Sequence, residues 1–223
     1  MKEFQGHWWA KAYGGATPMT ALFFISAILG ILIAFVVHEW AHAQAAYSLG
    51  DPTSKYDGRL TLNPAVHLDF VGTMVLTCSM IMSHGSLCYG WAKPVMFNRD
   101  NFKSPWVDGA LVALAGPVSN LFTAMFFATL CRFGIPGRDF FAVFVMANIC
   151  FGLFNLFPLP PLDGWKILQA FVPRGIAYQM QNFEERLGRF APVFLLLCSL
   201  GFVPLFVAPA VFYTRYFLME FPG

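Results

Sequence analysis

Charge is what this sequence has least of: Asp, Glu, Lys and Arg make up 12% of it, against 57% hydrophobic residues, and the formal net charge is only +2. So small an excess excludes the broad basic surface on which nucleic-acid binding depends, and no nucleic-acid partner is expected. Cys78, Cys88, Cys131, Cys150 and Cys198 lie scattered through apolar stretches without paired spacing, which excludes both a disulfide framework and a thiolate metal site. Low-complexity tracts, long linkers and internal repeats are lacking. The first eighteen residues have no apolar core followed by a small-residue cleavage site. They read as an interfacial arm anchored by Trp8 and Trp9 and not as a removable signal.

What is present in abundance is apolar surface. The chain holds 26 Phe and its mean hydropathy is +0.59, more than a chain of 223 residues can bury in a water-soluble core. Apolar runs long enough to span a bilayer occupy about residues 19–47, 107–131, 140–157 and 190–217, the last interrupted by Pro192, Pro204 and Pro209. A fifth run, 68–88, is broken by Ser83-His84-Gly85. The fold class expected is an all-α polytopic membrane protein with four to six membrane helices. It forms one membrane-embedded domain over 1–223, with its core in 19–170 and C-terminal membrane segments in 188–218. Turn residues at Gly50-Asp51-Pro52 and Asp57-Gly58 predict a short loop or β-hairpin near 50–64. Residues 166–189 read as partly helical and amphipathic.

The run 19–47 contains His38-Glu39-Trp40-Ala41-His42. On a helix, residues four apart project from one face a turn apart, a separation that suits two imidazole ligands of one zinc ion. Glu39 points about 100° further round, where a carboxylate suits a general base. An ionisable residue deep in a membrane helix costs on the order of 2 kcal/mol or more unless it has a partner. That cost favours a functional reading of the motif over coincidence.

A catalytic zinc takes three protein ligands and leaves one position open. In Asn155-Leu156-Phe157-Pro158-Leu159-Pro160-Pro161-Leu162-Asp163-Gly164 the prolines end a helix and hold the chain extended, so that Asp163 is presented from irregular backbone. Such backbone is tolerated at membrane depth only where protein buries it or it lines a wet cavity. Asp163 is either the third ligand or the cap of the helix that follows. Beside two histidines, the ligand is the reading preferred.

These motifs, with Ala115-Gly116-Pro117-x-x-Asn120, resemble the site-2 protease family of intramembrane zinc metalloproteases, over roughly residues 32–166. The stretch from Asn63-Pro64-x-x-His67 to Gly90-Trp91-Ala92-Lys93-Pro94 is similar to its compact subgroup without appended soluble domains. The resemblance implies that His38, His42 and Asp163 bind Zn2+, that Glu39 activates water, and that Asn155 stabilises the oxyanion, a role suited to an amide donor. It implies a transmembrane protein substrate, cut in or near its membrane segment as in regulated intramembrane proteolysis. Trp91, Lys93 and Pro94 are candidates for an extended edge against the substrate. His67 either touches the site from behind or holds its loop, the second being preferred. Asn120 is assigned to close helix packing and an interhelical hydrogen bond.

Both ligand groups fall at the C-terminal ends of their runs, so an even number of crossings must separate them. Runs 107–131 and 140–157 supply two, and 68–88 is therefore expected to be re-entrant or to span only in part. Lys55, Arg59, Lys93, Arg99, Lys103, Lys166, Arg174, Arg186 and Arg189 then share the face nearer the histidines, opposite Lys2, Lys11, Arg132, Arg138 and Arg215. The positive-inside tendency places the active site nearer the cytoplasm. The alternative function is a membrane ion or proton transporter that uses the same His, Glu and Asp cluster. The sequence leaves the oligomeric state open.

Overall fold

In a computed structural model, residues 21–82, 89–91, 93–133 and 136–199 are described, and among them every regular element is helical. The N-terminal arm, residues 83–88 and the chain beyond 199 lie outside the described residues, as does most of the expected C-terminal membrane segment. Helix α1 is Ala21–Ser48, followed by the one-turn helices α2 (Thr53–Tyr56) and α3 (Pro64–His67) and by α4 (Phe70–Met82). A 3-10 turn at Arg99–Asn101 leads into α5 (Pro105–Arg132) and α6 (Arg138–Asn155). Then come α7 (Asp163–Gln169), α8 (Arg174–Leu187), a 3-10 turn and α9 (Ala191–Ser199).

Among the described residues, two helices are long and apolar enough to cross a bilayer, over Ile25–Ser48 and Pro105–Arg132. With α6 they form the core: α1, α5 and α6 pack on one another pairwise, and α7 rests on α5. Ala124 from α5 and Val145 and Ile149 from α6 make one buried cluster, while Ala46 of α1, Val112 of α5 and Phe102, which follows the 3-10 turn, make another at the opposite end. The outward side of α5 carries Phe122, Met125 and Phe126, all exposed, as a surface facing hydrocarbon would. Arg132 and Arg138 stand where α5 ends and α6 begins.

The region 50–64 is no hairpin. Asn63 accepts from the Ala65 N–H and Pro64 takes the first helical position, so the Asn-Pro pair starts a helix at the end of this stretch. Asp51 likewise accepts from the Thr53 backbone and hydroxyl and folds the chain into α2.

The excursion between α3 and residue 93 closes on itself. The Lys93 N–H donates to the His67 carbonyl at 2.8 Å, so the chain departs and returns at one point. Ser79 Oγ bonds both the N–H and the carbonyl of Tyr89, and a β-carbon on Gly72 would lie 2.0 Å from the Trp91 carbonyl oxygen. Helix α4 therefore lies directly against residues 89–91. Its 13 residues measure about 20 Å, short of the ~30 Å hydrocarbon layer.

Candidate metal centre

His38 and His42 lie on the inner face of α1, both buried, with ring centroids 4.5 Å apart. Each imidazole is fixed from behind by its Nδ1. His38 Nδ1–H donates to Asn120 Oδ1 at 2.7 Å, and His42 Nδ1–H donates to the Val112 carbonyl at 2.8 Å. The tautomer follows from these partners, because the Asn120 amide nitrogen already donates to the Ala34 carbonyl and to Asn148 Oδ1. Both Nε2 atoms are thus left with free lone pairs, and they point the same way. Pro117 supplies no N–H within α5, so the Ala113 carbonyl, one residue past Val112, lacks its helix donor.

Asp163 stands opposite. Its Oδ2 lies 3.0 Å from His38 Nε2 and 3.2 Å from His42 Nε2, is buried, and takes no hydrogen bond. The cap alternative fails: Asp163 is the first residue of α7, and the capping position belongs to Leu162, without a side-chain bond. The residue after it must be glycine because a β-carbon on Gly164 would meet the Leu156 carbonyl oxygen at 2.2 Å. Among the described residues these three side chains bring their ligand atoms within 4.8 Å of one another. Three acceptor atoms facing each other without hydrogens repel unless a cation lies between them. Separations near 3 Å are also what tetrahedral zinc imposes, since Zn–N and Zn–O lengths near 2 Å put ligand atoms roughly 3.3 Å apart. The donor set fits zinc.

Glu39 is half-buried beside this cluster, and its Oε2 accepts the Val95 N–H at 3.0 Å. The segment 93–98 that holds it is tied down residue by residue. Lys93 accepts from Arg59, Met96 from Ser54 Oγ, and the Asn98 N–H donates to Asp51. Lys93 and Pro94 are exposed and Trp91 half-buried along its outer side. Asn155 ends α6, buried, with one amide hydrogen on the Phe151 carbonyl and a second hydrogen beyond that bond. His67 is fully buried, with its Nε2 on the Thr61 carbonyl, and so holds its loop. Asn120 does more than pack helices, since it touches the first histidine itself. The grip of the Val95 N–H on Glu39 gave no signal in the sequence; Pro94 beside it marks an extended segment but not its partner.

Outer partners that fix each histidine tautomer are what metal sites require, and comparison with known proteins agrees. The model of peptidase family M50 matches residues 133–199, which include Asn155 and Asp163. The chain is 41% identical over 170 residues to a Bacillus subtilis (strain 168) protein named "Putative zinc metalloprotease YwhC", covering 71% of this chain and 74% of that one. Two proteins named Rip2 bear the same description. That of Mycobacterium tuberculosis (strain H37Rv) is 28% identical over 90% of this chain and 75% of its own length; that of Mycolicibacterium smegmatis is 29% identical over 66% and 57%. No solved structure matches. The chain belongs to peptidase family M50, the site-2 protease family. It is a zinc metalloprotease of the membrane.

Proposed function

We propose that this enzyme hydrolyses a peptide bond in or near a transmembrane segment of another membrane protein, as in regulated intramembrane proteolysis, with His38, His42 and Asp163 as zinc ligands. The observation that carries the reading is the convergence of two Nε2 lone pairs on an unbonded Asp163 Oδ2. Zinc held there would supply Lewis-acid polarisation and an acidified water. Glu39 takes the proton of the attacking water and returns it to the leaving amine. The Val95 N–H holds one oxygen of its carboxylate in place. Asn155 supplies a donor for the oxyanion through its second amide hydrogen. Because carbonyls in a substrate helix are engaged in helix bonds, the substrate unwinds locally before it is cut. Trp91, Lys93 and Pro94 present an extended edge to that unwound strand.

Residues 1–223 form one membrane domain that crosses the bilayer several times. Residues 68–88 enter and leave by the same face, a reading supported by the Lys93 to His67 bond and the short α4. The active site lies nearer the cytoplasm, in keeping with Arg59, Lys93, Arg99 and Lys166 around it and with Arg132 and Arg138 at the far helix ends.

The test compares wild type with Glu39→Gln in reconstituted vesicles containing a model transmembrane substrate. The variant should retain one zinc per chain and lose cleavage by about 10²-fold or more. Equal cleavage by the two would sink the protease mechanism. Proton or ion flux that survives in Glu39→Gln would instead support the transporter reading.

A further inference from the structure

The 3-10 turn Arg99–Asn101 has no part in the chemistry proposed above, yet it is gripped from two sides. On one side Asp51, fully buried just past the end of α1, accepts the Asn98 N–H at 2.8 Å and the Asn101 amide at 2.7 Å. On the other, Arg99 Nη2 donates to Gln169 Oε1 at 2.6 Å. Gln169 is the last residue of α7, whose first residue is Asp163, and its side chain is 1% exposed. The turn also continues directly from the segment whose Val95 N–H holds Glu39. One short piece of chain is thereby bonded to the end of the histidine helix, to the partner of Glu39 and to the aspartate helix.

We infer that Arg99 and Gln169 are positioning residues that set the place of Asp163 against the two imidazoles. The inference rests on the assignment of His38, His42 and Asp163 as zinc ligands. Helix α7 has seven residues, about 10 Å of rigid rod, so displacement at Gln169 reaches Asp163 with little loss. Arg99 is itself held: its guanidinium lies 4.5 Å over the Trp106 ring, and Nε comes within 3.4 Å of where a β-carbon on Gly109 would stand. Gln169 is buried and Arg99 half-buried, so removing either partner leaves the other with an uncompensated desolvation cost. Arg99 Nη1 and Gln169 Nε2 are buried without a partner, which makes a carboxylate at 169 a favourable replacement because it can accept from both Nη atoms.

The experiment measures zinc affinity of the full chain in detergent by chelator competition, beside kcat and KM. Variants are Gln169→Leu, Gln169→Glu, Arg99→Lys and the control Asp163→Ala. Gln169→Leu should weaken zinc binding about tenfold or more and lower kcat while leaving KM nearly unchanged; Gln169→Glu should restore both. Wild-type zinc affinity in Gln169→Leu, or equal impairment in Gln169→Leu and Gln169→Glu, overturns the inference. If Gln169→Leu loses its helical circular dichroism, Arg99→Lys, which keeps the charge without the fork, is held to the same two results. Asp163→Ala separates the failures. If it binds zinc like wild type, the ligand assignment itself is wrong; if it loses zinc while Gln169→Leu does not, only the positioning inference falls.

Discussion

Gly116 faces His42 so closely that a β-carbon there would stand 2.5 Å from both Cε1 and Nε2 of the imidazole, and 2.6 Å from Cε1 of His38. Helix α5 is the wall against which both imidazoles rest. Gly116→Ala should push the rings off their aim, and misplacement of about 1 Å costs about 10²-fold in rate. Cleavage and zinc stoichiometry measured together check this. Full activity in Gly116→Ala would mean that the rings have room the structure does not give them.

Asn120 Oδ1 fixes the tautomer of His38, and Asn148 in turn orients Asn120. Asn120→Leu should lower zinc affinity about 10- to 100-fold. Asn148→Ala, one bond further out, should lower it less. Chelator competition ranks the two, and the reverse order would show that the relay does not run through Asn120.

Asp51 titrates outside the membrane helices. Burial alone would raise its carboxyl, but the Thr53 hydroxyl, the Asn101 amide and the Asn98 and Thr53 N–H groups hold it below the ordinary carboxylate range. A group whose folded pKa is depressed contributes stability that is full above its unfolded value, about 3.9, and is lost as pH falls through the folded value. Asp51→Asn should therefore melt lower than wild type at pH 7, by the equivalent of about 1–3 kcal/mol. The gap should shrink as pH drops below about 4. A gap independent of pH would remove the carboxylate from the explanation.

Gly72 touches the Trp91 carbonyl, so Gly72→Ala should separate α4 from residues 89–91. If Trp91, Lys93 and Pro94 meet the substrate, KM should rise several-fold while zinc content stays at one per chain. A pure kcat defect would count against that edge.

Much of the site was legible because its chemistry is local. His38, Glu39 and His42 declare themselves by spacing on one helix, and Asp163 by the prolines that present it. The long runs mapped closely onto α1, α5 and α6, since lipid-facing helices need little but apolar length. The contacts that fix these groups were hidden because they join distant positions: 82 residues separate His38 from Asn120, and 70 separate Arg99 from Gln169. No periodicity encodes such pairs. The misread hairpin has a different cause. Asp51 and Pro52 suit both turns and helix starts, and the bonds that Asp51 accepts from Thr53 decide between them.

The bond from Lys93 to His67 has an implication for how this chain can vary in length. Since the stretch between them begins and finishes at a shared doorway, residues added or removed inside it leave Arg59, Val95 and the histidines at their present spacing. Lengthening a closed loop adds only a slowly growing entropy cost, about 0.6 kcal/mol per doubling. The stretch can change in length while the segment bonded to Glu39 keeps its place.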